Sequence, residues 1–224
     1  MKKVILGLLL LPFAVFWGCK KNVVEPQIDI SSKYVVIDSG YKWTYQMDSI
    51  VYSGFTNAKP DTFSYKIRNI VTNSFFDNAG QLSYRIEKYY LPSGSSNWIY
   101  TRTYSETKSE LAYFRNDFDQ LQLVVSLPVL KNKTWDGNQY NSSNYIDFYF
   151  DDVHKPDSFG IIAYDSTCAI IQDEARNVIR SYYAEEHYAA NVGLVHKQVE
   201  RIDNLNTSSQ KGYKYQLTLL EFEK

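Results

Sequence analysis

The sequence predicts an all-β fold: an antiparallel meander that curls into a curved sheet, half-barrel or barrel, with a sandwich as the other way to cover such a sheet. Three observations carry this. Large apolar residues recur at every second position over much of the chain, the repeat of a strand with one buried face. The 20 tyrosines and 12 phenylalanines suit pleated, half-buried surfaces. Short turn signals separate the runs without helical crossovers, so successive strands pair antiparallel.

The elements follow in chain order. Lys2 and Lys3 precede an apolar run, Val4 to Trp17, interrupted by Gly7 and Pro12 and ending at Gly18-Cys19. That is the layout of a secretory signal. It falls short of the roughly 17 to 25 apolar residues of a lasting membrane helix. From Cys19 to about Ser32 the chain is polar, contains Pro26 and shows no period, as a tether would. The expected organisation is therefore a signal peptide over 1–18, a flexible tether over 19–32 and one antiparallel β domain over 33–224.

Within that domain Tyr41, Trp43, Tyr45, Met47 and Val51 share one parity, opposite Lys42, Thr44, Gln46 and Asp48. Phe63, Tyr65 and Ile67 alternate with Ser64, Lys66 and Arg68, and Leu82, Tyr84 and Ile86 with Ser83, Arg85 and Glu87. Trp98, Tyr100 and Tyr104 continue the series opposite Thr101 and Thr103. Further strands are expected at Leu121 to Leu127, Tyr145 to Phe150, Thr167 to Ile171, Leu194 to Ile202 and Tyr213 to Phe222. Val178 to Tyr188 fits a strand or a short amphipathic helix. Turns are marked by Asp77-Asn78-Ala79-Gly80, Pro92-Ser93-Gly94, Asp136-Gly137-Asn138 and Asn191-Val192-Gly193.

Phe16-Trp17-Gly18-Cys19 resembles the lipobox of bacterial lipoproteins. The resemblance implies export, cleavage before Cys19, acylation of that cysteine and a membrane anchor, since several acyl chains hold a protein where one does not. Lys20, rather than an aspartate, follows the cysteine, and in that family this implies the outer membrane. A second resemblance rests on three landmarks in order: Gly40-Tyr41-Lys42-Trp43-Thr44-Tyr45, Lys133-Thr134-Trp135-Asp136-Gly137-Asn138, and Tyr188 to Val195. These look like landmarks of uncharacterised all-β envelope lipoproteins, which implies a secreted all-β domain and no particular activity. Read from the residues alone, Trp43 and Trp135 are core or rim aromatics and Gly193 is a hairpin glycine. In general layout the chain also resembles envelope carriers of the LolA/LolB type, at the level of fold analogy.

Charge and cysteine content narrow the function classes. Cleavage removes Lys2 and Lys3 from 24 basic residues and none of the 25 acidic ones, leaving a formal charge of about −3. No concentrated basic face for nucleic acid is expected. With Cys19 acylated, Cys168 has no partner, and its run Ser166 to Ile171 reads as a buried strand holding an inert thiol.

Motifs for chemistry are sparse. Asp151, Asp152, His154 and Asp157 bring oxygen and nitrogen close enough to suggest a divalent cation, but without calcium-loop spacing they read as a solvated turn after Phe150. In Glu185-Glu186-His187, a strand would put Glu186 opposite the other two, so only Glu185 and His187 would cooperate. No serine elbow, phosphate loop or dinucleotide fingerprint occurs. No catalytic residue and no cofactor is expected. Ile50, Tyr52, Tyr89, Leu91, Ile99 and Tyr183, on the other face, need cover or form a patch. The expected function is a lipid-anchored envelope binding or carrier protein for an apolar or glycan ligand. An assembly subunit of an outer-membrane complex is the alternative, and an envelope hydrolase ranks below it.

Overall fold

The structure is a computed structural model that describes residues 29–224. Its strands are β1 (Lys42–Ser53), β2 (Asp61–Phe76), β3 (Leu82–Leu91), β4 (Ile99–Lys108), β5 (Ala112–Asp117) and β6 (Gln120–Ser126). The second half adds β7 (Thr134–Asp136), β8 (Asp147–Phe159), β9 (Ile162–Arg176), β10 (Arg180–Ala189), β11 (Gly193–Asp203) and β12 (Lys211–Glu223). All twelve form one antiparallel sheet in the order β6-β5-β4-β3-β2-β1-β12-β11-β10-β9-β8-β7. Sequence neighbours pair except at β6 and β7, which form the two edges, and β1 pairs with β12 to join the two halves of the meander.

The two edges, β6 and β7, meet at a seam that nearly closes the barrel. Leu123 N–H donates to the Gly137 carbonyl at 2.9 Å, the Trp135 indole N–H donates to the Leu123 carbonyl at 3.0 Å, and the Asn141 amide donates to the Leu121 carbonyl at 2.9 Å. Gly137 permits the approach, because a Cβ there would stand 2.6 Å from the Phe148 ring. Bulges at Thr44/Tyr45, Val71/Asn73, Lys88/Tyr89 and His187/Tyr188 curl the long strands.

One end of the barrel is plugged by the chain's own N-terminal stretch. A 3₁₀ turn at Ser31–Lys33 leads Tyr34 and Val35 into the interior, where both are buried among Leu123, Val129, Phe148, Phe150, Cys168 and Tyr188. Ser31 Oγ accepts the Val129 N–H at 2.8 Å, and the Tyr34 hydroxyl shares hydrogen bonds with Ser166 Oγ at 2.7 Å and His154 Nδ1 at 2.8 Å. Ser31 is thus part of the domain, although its polar neighbours give the stretch to Ser32 the look of a tether. Trp43, Tyr45, Ile67, Val71, Ile86, Val195 and Leu219 form a second core beside the plug. The landmark tryptophans hold this end: the Trp43 indole N–H donates to the Val192 carbonyl at 2.7 Å, binding the first strand to the β10–β11 turn where Gly193 sits at φ +91°.

The structure decides one open alternative and departs from the sequence expectation in two places. Val178 to Tyr188 contains a strand, Arg180–Ala189, preceded by an exposed turn at Val178 and Ile179; nothing helical forms. Asp151, Asp152, His154 and Asp157 lie on β8, which continues to Phe159 rather than turning after Phe150. Register shifts across 150–157 and a left-handed φ of 56° at His154 let that polar run stay paired with β9. Strands β5 and β7 had no recognisable pattern in the sequence. In β5 the inward position beside Tyr113 is Arg115, so the alternation breaks where a charge faces the lumen.

Candidate functional site

Opposite the plug, the barrel stays open. The mouth holds a cavity of about 810 Å³, within the roughly 300 to 1,000 Å³ of small-molecule sites. Its walls are built by strand register. Met47 lies across from Leu217 and from Tyr65, and Ile67 across from Tyr90, so the inward parity of β1, β2, β3 and β12 gives an aliphatic and aromatic lining. Tyr65 and Tyr90 meet edge to face at 6.1 Å.

Deeper, a second cavity of about 430 Å³ adjoins the first and shares Lys88, Arg102, Tyr215 and Leu217 with it. Amide side chains of Gln120, Gln122, Asn138 and Asn141 line its seam side, and Asn69 adds another from β2. Its charged residues are Lys88, Arg102, Arg115 and Lys197, against one carboxylate, Asp117. Asp117 is taken by Arg102 in a bidentate pair with contacts of 2.9 and 2.6 Å.

Arg115 and Lys197 belong to a band that crosses the barrel and separates cavity from plug. Arg115 donates to Glu106 at 2.9 Å and to Glu186 at 3.1 Å, and Lys197 to Glu186 at 2.7 Å. Tyr113 and Tyr188 add their hydroxyls to Glu106 and Glu186 respectively. Glu186 is 0% exposed. Burial alone would push its carboxyl up, and Lys197 with Arg115 override this and hold it far below the usual carboxylate range. The band thus presents its cations to the open cavity and keeps its carboxylates behind them.

Lys88 differs from the other three cations. No carboxylate stands within 4.0 Å of its ammonium among the described residues, while Arg102, also a cation, lies directly across from it on β4. Burial first, and then Arg102 and Lys197, pull its pKa down to about 8. Like charges set opposite each other on a sheet cost stability, so the arrangement is one that folding alone does not favour.

The sequence-derived candidates fall elsewhere. Cys19 lies outside the described residues. Asp152 pairs with Lys155 at 2.6 Å and Lys131 at 3.6 Å, Asp157 accepts the Ser158 N–H at 2.7 Å, Asp151 is exposed, and His154 turns to Tyr34 and the Val129 carbonyl. The structure does not bring them together, and no group of three or more metal-ligating side chains occurs among the described residues. Cys168 is fully buried, with its thiol pushed well up by that burial. Glu185 and His187 do share the outer face, with Oε2 and Nε2 3.3 Å apart beneath the Phe159 ring. The uncovered aromatics find local partners: Tyr89 donates to Glu87 and packs edge on to Tyr100, and Tyr183 donates to Glu185 under the Arg176 guanidinium.

Lys88, Arg102, Arg115 and Lys197 escaped the sequence reading, in which Glu186 figured only as the residue turned away from Glu185 and His187. The signal was present as charge on the apolar parity: Lys88 continues Tyr84 and Ile86, and Arg102 sits between Tyr100 and Tyr104. A charge that keeps the inward parity of a strand marks a lumen rather than a packed core.

Neither a family model nor a curated protein matches the chain. A solved structure provisionally described as an exported protein with a YmcC-like fold, from Bacteroides fragilis, is similar at 12% identity, covering 84% of this chain and 97% of that one with a TM-score of 0.48. Another, provisionally described as a lipoprotein from Parabacteroides distasonis, is similar at 12% identity, covering 85% and 98% with a TM-score of 0.41.

Proposed function

We propose that the chain is an exported lipoprotein, held on a membrane through Cys19, that binds or carries a small ligand in the open half of its barrel. The cavity at the mouth carries this reading. A barrel that served only as a scaffold would be filled by side chains, as the plugged half is. Here the inward residues beyond the charged band leave room instead, with apolar walls and a few polar groups at the floor, the usual make-up of a ligand site. The signal and lipobox in the sequence supply the envelope location, with the outer membrane as the proposed destination.

Two measurements test the two halves of the proposal. Protein purified gently from its native membrane, then denatured and extracted, is expected to release a small molecule at near-stoichiometric amount by mass spectrometry; an empty extract would overturn the ligand reading. Cys19→Ser is expected to leave the protein in the soluble envelope fraction with its thermal midpoint unchanged, because Cys19 precedes the β domain in sequence. Continued membrane attachment of that variant would remove the anchor from the proposal.

A further inference from the structure

Resting on the open cavity as a ligand site, we infer that its ligand is an amphiphile with one acidic head group, carboxylate or phosphate, seated on Lys88 at the floor, and an apolar chain lying through the mouth. The charge distribution selects the head. Arg102 is matched by Asp117, and Arg115 and Lys197 by Glu106 and Glu186. Lys88 alone among these cations faces the shared part of both cavities without a carboxylate partner. An entering anion would supply the missing partner in a site partly screened from water, where charge-assisted hydrogen bonds are strong. A neutral ligand would leave the ammonium desolvated and unpaired, and a cation would meet four like charges.

The walls select the rest of the molecule. Met47, Ile67 and Leu217 offer no hydrogen bond to a sugar, and the rings of Tyr65 and Tyr90 extend the same surface. An alkyl chain buries against them by the hydrophobic effect. The amides of Gln120, Gln122, Asn138 and Asn141 surround the floor rather than the mouth, where polar atoms of a head group would reach them.

The test uses the full chain carrying Cys19→Ser, stripped of bound lipid, with dodecyl phosphate, dodecanoate and dodecan-1-ol as probes in titration calorimetry. The two anionic probes are expected to bind at least about tenfold more tightly than the alcohol, and their ranking separates a phosphate from a carboxylate site. Lys88→Gln is expected to abolish that preference, tighten dodecan-1-ol binding or leave it no weaker because no ammonium is then desolvated, and keep the thermal midpoint equal or higher, since it removes a cation facing Arg102. Lys88→Arg is expected to retain the preference. On the unaltered site, the preference is expected to fade as pH rises past about 8, where Lys88, facing Arg102, Arg115, Lys197 and Asp117, gives up its proton. Equal affinity for charged and neutral probes, or a preference that survives Lys88→Gln, overturns the acidic-head inference and leaves the ligand site standing. Failure of all three probes to bind overturns both.

Discussion

Glu186→Gln is expected to lower the stability of the domain by about 3 to 5 kcal/mol at neutral pH, read as a fall in the urea midpoint. The side chain keeps its shape, so the loss isolates the charge. Glu186 is fully buried and is the partner of both Arg115 and Lys197. Without it, Lys197 is left as an uncompensated cation in the barrel interior, and Arg115 keeps only Glu106. Intact buried pairs contribute little net stability over apolar residues of the same volume, whereas half-pairs are costly. The double variant Glu186→Met with Lys197→Met is therefore expected to recover part of the loss, and the two substitutions will be strongly non-additive.

The same carboxylate gives the effect a pH signature. Its pKa is depressed in the folded state, so in the unfolded chain it binds a proton at a higher pH than in the barrel. The stabilisation is present above the ordinary glutamate value of 4.5 and is lost as pH falls below it. The gap between the parent and Glu186→Gln is thus expected to be widest near neutrality and to narrow steadily below about pH 4.5. A gap that stays constant down to pH 3 would mean that packing, and not charge, sets the role of Glu186.

The strands most legible in the sequence are those whose inward parity is apolar over three or more positions: β1, β2 and β3 can be read directly from Tyr41 to Met47, Phe63 to Ile67 and Leu82 to Ile86. The function-bearing stretches were obscured by the property that makes them functional. Arg115 interrupts the alternation of β5, and Arg102 that of β4, because each points a charge into a lumen that the period-two rule assumes to be greasy. The β5–β6 hairpin is hidden for another reason. Its two turn residues, Phe118 and Asp119, both have left-handed φ, at 53° and 58°, the geometry normally signalled by Asn-Gly. Phe118 gives no such cue.

Pairing partners lie beyond what a single sequence encodes locally. That β1 would pair with β12, or that β6 would meet β7 across a seam, depends on strand number and tilt together. The consequence is concrete for Glu186. Its parity on the strand was readable, and its inward direction followed once the strand was assigned, but Lys197 and Arg115 come from β11 and β5. Lys197 stands directly across the β10–β11 hairpin from Glu186, whereas only closure of the barrel brings β5 and its Arg115 to face them. The cavity has the same origin, since its floor draws one cation each from β3, β4, β5 and β11.

Closure at the seam yields the second large effect. Trp135→Ala is expected to cost about 3 to 5 kcal/mol, as for other buried large aromatics. The indole is 8% exposed, packs edge to face on Phe148 at 6.0 Å and against Phe150 at 4.9 Å, and donates to the Leu123 carbonyl at 3.0 Å. Trp135→Phe keeps most of the packing and removes the N–H, leaving the Leu123 carbonyl short of a donor, so a smaller loss of about 1 to 3 kcal/mol is expected. The location of the damage discriminates between two roles for the ring. If Trp135 joins β7 to β6, amide exchange in the phenylalanine variant will accelerate first at Leu123, whose N–H donates to Gly137, while the β1–β12 ladder keeps its protection relative to global unfolding. If the ring were only core filler, protection would fall at both places together. Because Leu121 and Asn141 lie on the same seam, and Asn141 also lines the deep cavity, local opening there is expected to loosen the cavity floor before the barrel unfolds.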